Sequence, residues 1–179
     1  MLSVAAFFVV FGLMLVEARR ATRNEGAQRR RGGIEPSGDV YEAMRLAYPA
    51  AFLTMFAEGA LRGRPGTGAL IAGATLFGCA KALKWWAIAT LGPFWTFRVI
   101  VLPGAPLVAS GPYRWMRHPN YVGVIGELIG TTLITGAVIS GPVVTAIFLA
   151  LLSKRLAVES RMLNAARSLA PTSKQDVPH

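Results

Sequence analysis

Apolar runs that approach the thickness of a bilayer recur along the 179-residue chain, and Arg and Lys crowd their edges. A hydrocarbon core of about 30 Å asks for about 20 apolar residues in a helix. Inside it the backbone must satisfy its own hydrogen bonds, so a chain of this kind spans as helices or as a closed barrel. The runs predict an all-α, polytopic membrane protein with about five transmembrane helices. Leu2 to Val16 is the first, followed by Glu17, Arg19, Arg20 and Arg23. A cleaved signal peptide carries its charge before the apolar run, so this order predicts a retained span with its N-terminus outside. Residues 17–43 read as a polar loop holding Arg29, Arg30 and Arg31, part of it an interfacial helix. A second span runs from Met44 to Leu61 and contains Pro49 and Glu58. A third runs from Thr67 to Leu91, with Lys81 and Lys84 near its far end and Trp85 and Trp86 at an interface. Residues 92–118 are punctuated by Pro and Gly and too broken to span. Pro119 to Thr135 and Ile139 to Leu152 then form a helical hairpin. Its second helix continues through Arg155 and Glu159 to Ser168, before a disordered tail over 169–179.

The whole reads as one domain, 1–179: three spans and a basic loop to residue 91, then a functional segment, hairpin and C-terminal helix. Lys plus Arg number 19 against 9 Asp plus Glu, in a chain that is 53% hydrophobic. No basic groove studded with aromatics is visible, so the excess points to lipid headgroups and not to nucleic acid. Five spans with the N-terminus outside leave only Arg62 and Arg64 on that side. The 17–43 loop, the 92–118 segment and the C-terminus then face the cytoplasm, as the positive-inside rule requires. The single cysteine, Cys79, permits no internal disulfide or thiolate cluster and reads as a small buried residue. With two histidines, one of them His179, no multi-histidine metal site is expected. The sequence leaves the oligomeric state open.

Chemistry concentrates in Gly111-Pro112-Tyr113-Arg114-Trp115-Met116-Arg117-His118-Pro119-Asn120-Tyr121. Proline disfavours helix at His118 and suits a first helical position, so a helix should begin at Pro119. Its free N–H groups and positive end then sit beside Arg114, Arg117 and His118, which suits an anion. An interfacial anchor is the plainer reading of the same residues. Arg155 and Glu159 lie four apart on one helix face, either as an oxyanion grip beside a carboxylate acceptor or as a solvated ion pair. Lys154 and Arg161 point elsewhere, toward headgroups. Glu58 and Glu127 stand inside apolar helices, where a carboxylate either serves function or pairs with a neighbour. Gly126 and Gly130 suit close packing of the last two helices.

The run from Gly111-Pro112-Tyr113 through Arg117-His118-Pro119-Asn120-Tyr121, followed after a hairpin by Arg155 and Glu159, resembles the isoprenylcysteine carboxyl methyltransferases and their phospholipid methyltransferase relatives. Leu91-Gly92, Trp95 and Arg98 are similar as well, so the resemblance covers about residues 85–165. Arg23-Asn24-Glu25 looks like the short bacterial branch found with alkylpyrone and alkylresorcinol synthesis. The resemblance implies a bacterial inner-membrane enzyme that binds S-adenosylmethionine in a cytoplasm-facing pocket and takes a lipid-like acceptor from the bilayer. It assigns cofactor contact to Leu107, Val108, Tyr113, His118, Pro119, Asn120, Tyr121 and Glu159. The match before the motif extends over Ala105 to Val108. Arg155 takes the substrate, and Arg155 and Glu159 are the catalytic pair. Where the family often has a second acid after the glutamate, this chain has Ser160, which weakens any mechanism that needs adjacent carboxylates.

The expected activity is O-methylation of a lipophilic acceptor, a carboxylate of isoprenylcysteine type or a hydroxyl of an alkylpyrone or alkylresorcinol. N-methylation of a phospholipid headgroup, a non-catalytic membrane assembly protein and a reductase on the same scaffold are the competing readings. The topology has a direct test. Cysteines introduced at positions 27 and 175, with Cys79 replaced, should both react with an impermeant thiol reagent only from the cytoplasmic side. Labelling from opposite sides would reject five spans.

Overall fold

The computed structural model describes residues 2–36, 38–105 and 108–168. Its elements are α1 (Leu2–Arg30), α2 (Tyr41–Arg62), α3 (Thr67–Leu91), α4 (Pro119–Thr135) and α5 (Ser140–Ser168). Two short 3-10 turns, Gly92–Phe94 and Gly111–Arg114, punctuate the connection between α3 and α4. No strand forms among the described residues; one isolated antiparallel bridge joins Ile34 to Val101. The all-helical expectation holds. Among the described residues, one helical stretch, Ser140–Arg161 with mean hydropathy 1.6, is long and apolar enough by length and composition alone to cross a membrane.

α3 and α4 form the tightest pair, and small residues are the reason. A Cβ added at Gly73 would lie 2.8 Å from the Gly130 carbonyl oxygen, and one at Gly130 would lie 2.8 Å from the Phe77 nitrogen. Gly126 sits the same way against Ala80. The close approach of Gly126 and Gly130 is thus made with α3, and not between the last two helices as the sequence suggested. α4 ends where Gly136 takes a left-handed conformation, φ 69°, and returns its N–H to Thr132. Glu58 of α2 then accepts the N–H groups of Ile139 (3.1 Å) and Ser140 (2.6 Å), which covers the start of α5, and pairs with Arg62 at 2.5 Å. It is therefore a cap and not a free intramembrane acid.

Apolar packing joins the bundle elsewhere. Val10 of α1, Phe52 and Met55 of α2, Leu128 of α4 and Phe148 and Leu152 of α5 form one buried cluster. Ala21, Ile88 and Trp95 form a second.

Four charges lie between these clusters. Lys81 Nζ is 3.1 Å from Glu17 Oε1 and 2.8 Å from Glu127 Oε1. Lys84 Nζ is 2.7 Å from Glu17 Oε2 and 3.4 Å from Glu127 Oε2. The Tyr48 hydroxyl donates to Glu127 and accepts from Lys84. Two sequence expectations change here, and Lys81 and Lys84 prove to be buried partners of Glu17 and Glu127. Glu17 is buried on a helix and does not open a loop. α1 runs unbroken to Arg30, because its polar half has protein partners in place of water. Cys79 is likewise exposed and not buried, since α3 turns Ala80 and Lys84 toward α4 in its stead.

Removing one member of such a cluster leaves an uncompensated buried charge, which costs about 3–5 kcal/mol. Lys84→Met should lower the thermal stability of the detergent-solubilised protein by that amount. The exposed substitution Cys79→Ala should leave it within about 0.5 kcal/mol. Equal stabilities for the two variants would show that the cluster holds nothing together.

Candidate active site

The site assembles where the start of α4 meets the C-terminal extension of α5. α4 begins at Pro119 with His118 at the N-cap position, as the sequence predicted, and no side chain caps it. Tyr121, in the first turn, is the hub. Its hydroxyl donates to Glu159 Oε2 at 3.0 Å and accepts from Arg155 Nε at 3.0 Å. The His118 ring stacks on Tyr121, with centroids 5.2 Å apart and planes 8° from parallel. His118 Nδ1 lies 4.0 Å from Glu159 Oε2. The four residues named from the sequence motif and from the last helix therefore meet in space. Arg155 and Glu159 share a face, yet they contact Tyr121 and not one another.

Arg155 is buried, 7% exposed. Besides Tyr121 it donates through Nη2 to the Phe97 carbonyl oxygen. Its Nη1 lies 3.7 Å from Asp39 Oδ1, close enough for charge attraction but beyond a hydrogen bond. Asp39 Oδ1 is buried without a hydrogen-bond partner, while Oδ2 accepts from the Val99 N–H at 3.2 Å. Sequence reasoning missed Asp39. It lies in the connection before α2, where a single acid carries no spacing signal, and only the fold brings it to Arg155.

The segment that supplies Phe97 is itself held by α1. Asn24 donates to the carbonyls of Gly92 (2.9 Å) and Trp95 (2.7 Å), and Gln28 donates to that of Pro93 (3.0 Å). Glu25 accepts the N–H groups of Phe97 (3.1 Å) and Arg98 (3.2 Å). The Arg98 guanidinium reaches Glu42 at 2.7 Å and lies over the Tyr41 ring. These contacts give Asn24 and Glu25 of the Arg23-Asn24-Glu25 run a role: they satisfy the backbone of a segment with little secondary structure of its own.

The other residues assigned from the motif fall around this hub. Tyr113, in the second 3-10 turn, is half-buried; burial first, and the charge of Glu159 second, push its phenol above the usual range, so it stays protonated. Asn120 Oδ1 is buried and has no hydrogen-bond partner. Pro119 is buried and Val108 half-buried. Leu107, the last residue of that set, and the tail over 169–179 lie outside the described residues. Arg114 and Arg117 are exposed, and Trp115 packs edge-on against Trp86 at 5.6 Å, which fits the anchoring reading for these flanking residues. Among the described residues no group of three or more His, Cys, Asp or Glu could hold a metal ion.

A model of the isoprenylcysteine carboxyl methyltransferase (ICMT) family matches residues 73–165, which cover most of α3, the intervening segment, α4 and most of α5. The uncharacterized protein YpbQ of Bacillus subtilis (strain 168) is 29% identical over 161 residues, 88% of this chain and 96% of that protein. An uncharacterized protein of Haemophilus influenzae is 31% identical over 86 residues, 48% of this chain and 50% of that one. No solved structure matches the sequence significantly. The matched region contains Tyr113, His118, Tyr121, Arg155 and Glu159, and the chain belongs to the isoprenylcysteine carboxyl methyltransferase family.

Proposed function

We propose that the protein is an S-adenosylmethionine-dependent O-methyltransferase acting on an acidic, lipophilic acceptor at the cytoplasmic face of the bacterial inner membrane, which it crosses with five helices. Family membership supports a methyltransferase with a lipophilic substrate. The observation that carries the finer reading is the Tyr121 hydroxyl, which ties Arg155 and Glu159 into one unit with 3.0 Å bonds on both sides.

The residues present fit the cofactor. The unpartnered Asn120 oxygen and the Glu159 carboxylate could accept from an amine or a ribose hydroxyl, and Tyr113 retains a phenolic donor. The uncapped start of α4 suits a carboxylate. When bound, S-adenosylmethionine supplies a methyl group on a sulfonium whose sulfur keeps the bonding pair as the methyl leaves. The chain's own residues position and exclude water. Among the described residues Arg155 Nη1 has no hydrogen-bond acceptor and faces Asp39, so it is the donor available to an acceptor oxyanion. Tyr121 and the Phe97 carbonyl fix the guanidinium plane. Asp39 tempers its charge, so the oxyanion is oriented without losing its nucleophilicity. A carboxylate acceptor needs no base. A phenolic one would give its proton to Glu159 or His118, which stand 4.0 Å apart.

One observation favours a second reading. Asp39 and Glu159 both approach Arg155 or its tyrosine, so the hub carries two carboxylates against one guanidinium. That balance also suits an amine and would fit N-methylation of a phospholipid headgroup. Membranes incubated with labelled cofactor and a panel of prenylcysteines, alkylpyrones, alkylresorcinols and phospholipids decide between the readings by which pool takes label. No label in any pool, with no S-adenosylhomocysteine binding, would favour an assembly role.

Two mutational outcomes follow from the geometry. His118→Ala and Tyr121→Ala should each weaken S-adenosylhomocysteine binding in calorimetry while the protein still folds. Unchanged affinity in both would dismiss the pocket. Arg155→Ala should raise the apparent substrate constant or lower turnover with cofactor affinity nearly intact, and Glu159→Ala should do the reverse. Each lost charge-assisted contact is worth about 1.5–3 kcal/mol, or about one to two decades. Equal losses of cofactor affinity would instead mark Arg155, Tyr121 and Glu159 as a structural network.

A further inference from the structure

A groove of about 390 Å³ opens along the seam between α1 and α3, lined by Val16, Arg20, Arg23, Asn24 and Trp85. It is separate from the proposed active site. α3 presents Ala80 and Lys84 to α4, whereas Trp85 belongs to the side that meets α1, between Lys81, paired with Glu17, and Ile88, packed with Ala21.

Three features define what the groove could hold. Arg20 and Arg23 stand three residues apart on one helix face. Among the described residues, the ion pairs of α1 use Glu17, Glu25 and Arg29 and leave both arginines without a carboxylate. Trp85 closes the groove from the α3 side. The amide of Asn24 is already spent on Gly92 and Trp95, so it walls the groove and does not compete for a ligand. Two guanidinium forks are donors only, and a phosphate offers the oxygens to meet both. Immediately before the arginines, α1 exposes an apolar track: Phe8, Val9, Leu15 and Val16 are each about half exposed or more. Val16 carries that track into the groove itself.

We propose that this groove binds the phosphate of an anionic phospholipid, with Arg20 and Arg23 on the headgroup and the α1 track beneath an acyl chain. The site rests on α1 crossing the membrane and not on methyl transfer.

The test uses full-length protein, delipidated in detergent and titrated with phosphatidylglycerol, phosphatidylcholine or inorganic phosphate, with bound lipid counted by native mass spectrometry. Phosphatidylglycerol should bind at one site, roughly tenfold or more tighter than phosphatidylcholine, whose phosphate carries a tethered cation. The double substitution Arg20→Gln with Arg23→Gln should abolish that preference. Lys154→Gln, an exposed cation on α5, should leave it unchanged. S-adenosylhomocysteine binding should be the same in all of these variants, which separates this site from the methyl-transfer reading. If the glutamine pair fails to fold, Arg20→Lys with Arg23→Lys keeps the charge but loses the forks, and should still weaken the preference. Equal binding of the two lipids, or full preference in both paired variants, would overturn the proposal. Displacement of the lipid by millimolar inorganic phosphate would overturn it in favour of a free-phosphate site.

Discussion

Two carboxylates and two ammonium groups close on one another inside the bundle, and the placement of everything else follows from that contact. Isolated, any of the four would be too costly to bury. Together each lysine meets both glutamates within 3.4 Å, and Tyr48 adds a hydroxyl between Lys84 and Glu127. The charges cancel, and the low dielectric that penalises a lone ion strengthens the pairs. The cluster draws one residue or more from each of α1, α2, α3 and α4. It therefore fixes the height of α1 against α3, which the small apolar residues around it would leave free to slide.

That height matters eight residues further on. Glu25 lies about 12 Å along the helix from Glu17, and there it receives the backbone of Phe97 and Arg98 while Asn24 and Gln28 take up the carbonyls just before. The irregular segment so held hands the Phe97 carbonyl to Arg155 and the Val99 N–H to Asp39. A buried ionic cluster thus reaches the proposed chemistry through a helix acting as a ruler and a loop acting as a bracket. Arg155 gains a fixed plane from this bracket and from Tyr121, and only its Nη1 remains uncommitted.

Much of this was legible before the fold was known. Pro119 after His118 set the start of α4, because proline's ring forbids helix behind it and favours helix ahead. Gly136 and the Ser140-Gly141-Pro142 cluster set the turn to α5. The spacing of Arg155 and Glu159 put them on one face, and the motif placed Tyr121 within reach. What misled was polarity read locally. Glu17, Asn24, Glu25 and Gln28 look like a solvated loop in a hydropathy scan, since a scan cannot tell a polar side chain facing water from one facing a backbone that needs partners.

The sequence by itself determined the helical class, the bounds of α3 and α4 and the family, because these depend on neighbours a few residues apart: proline and glycine geometry, apolar periodicity, and motif spacing. Only the tertiary structure decided which charges meet. Glu17 finds Lys81 and Lys84 across 64 and 67 residues, and Asp39 finds Arg155 across 116. Electrostatic partners at such separations leave no periodic trace in the chain. Whether a charge is a surface ornament, a structural pair or a catalytic grip depends on what stands a few ångströms away, and that is settled by how the helices pack.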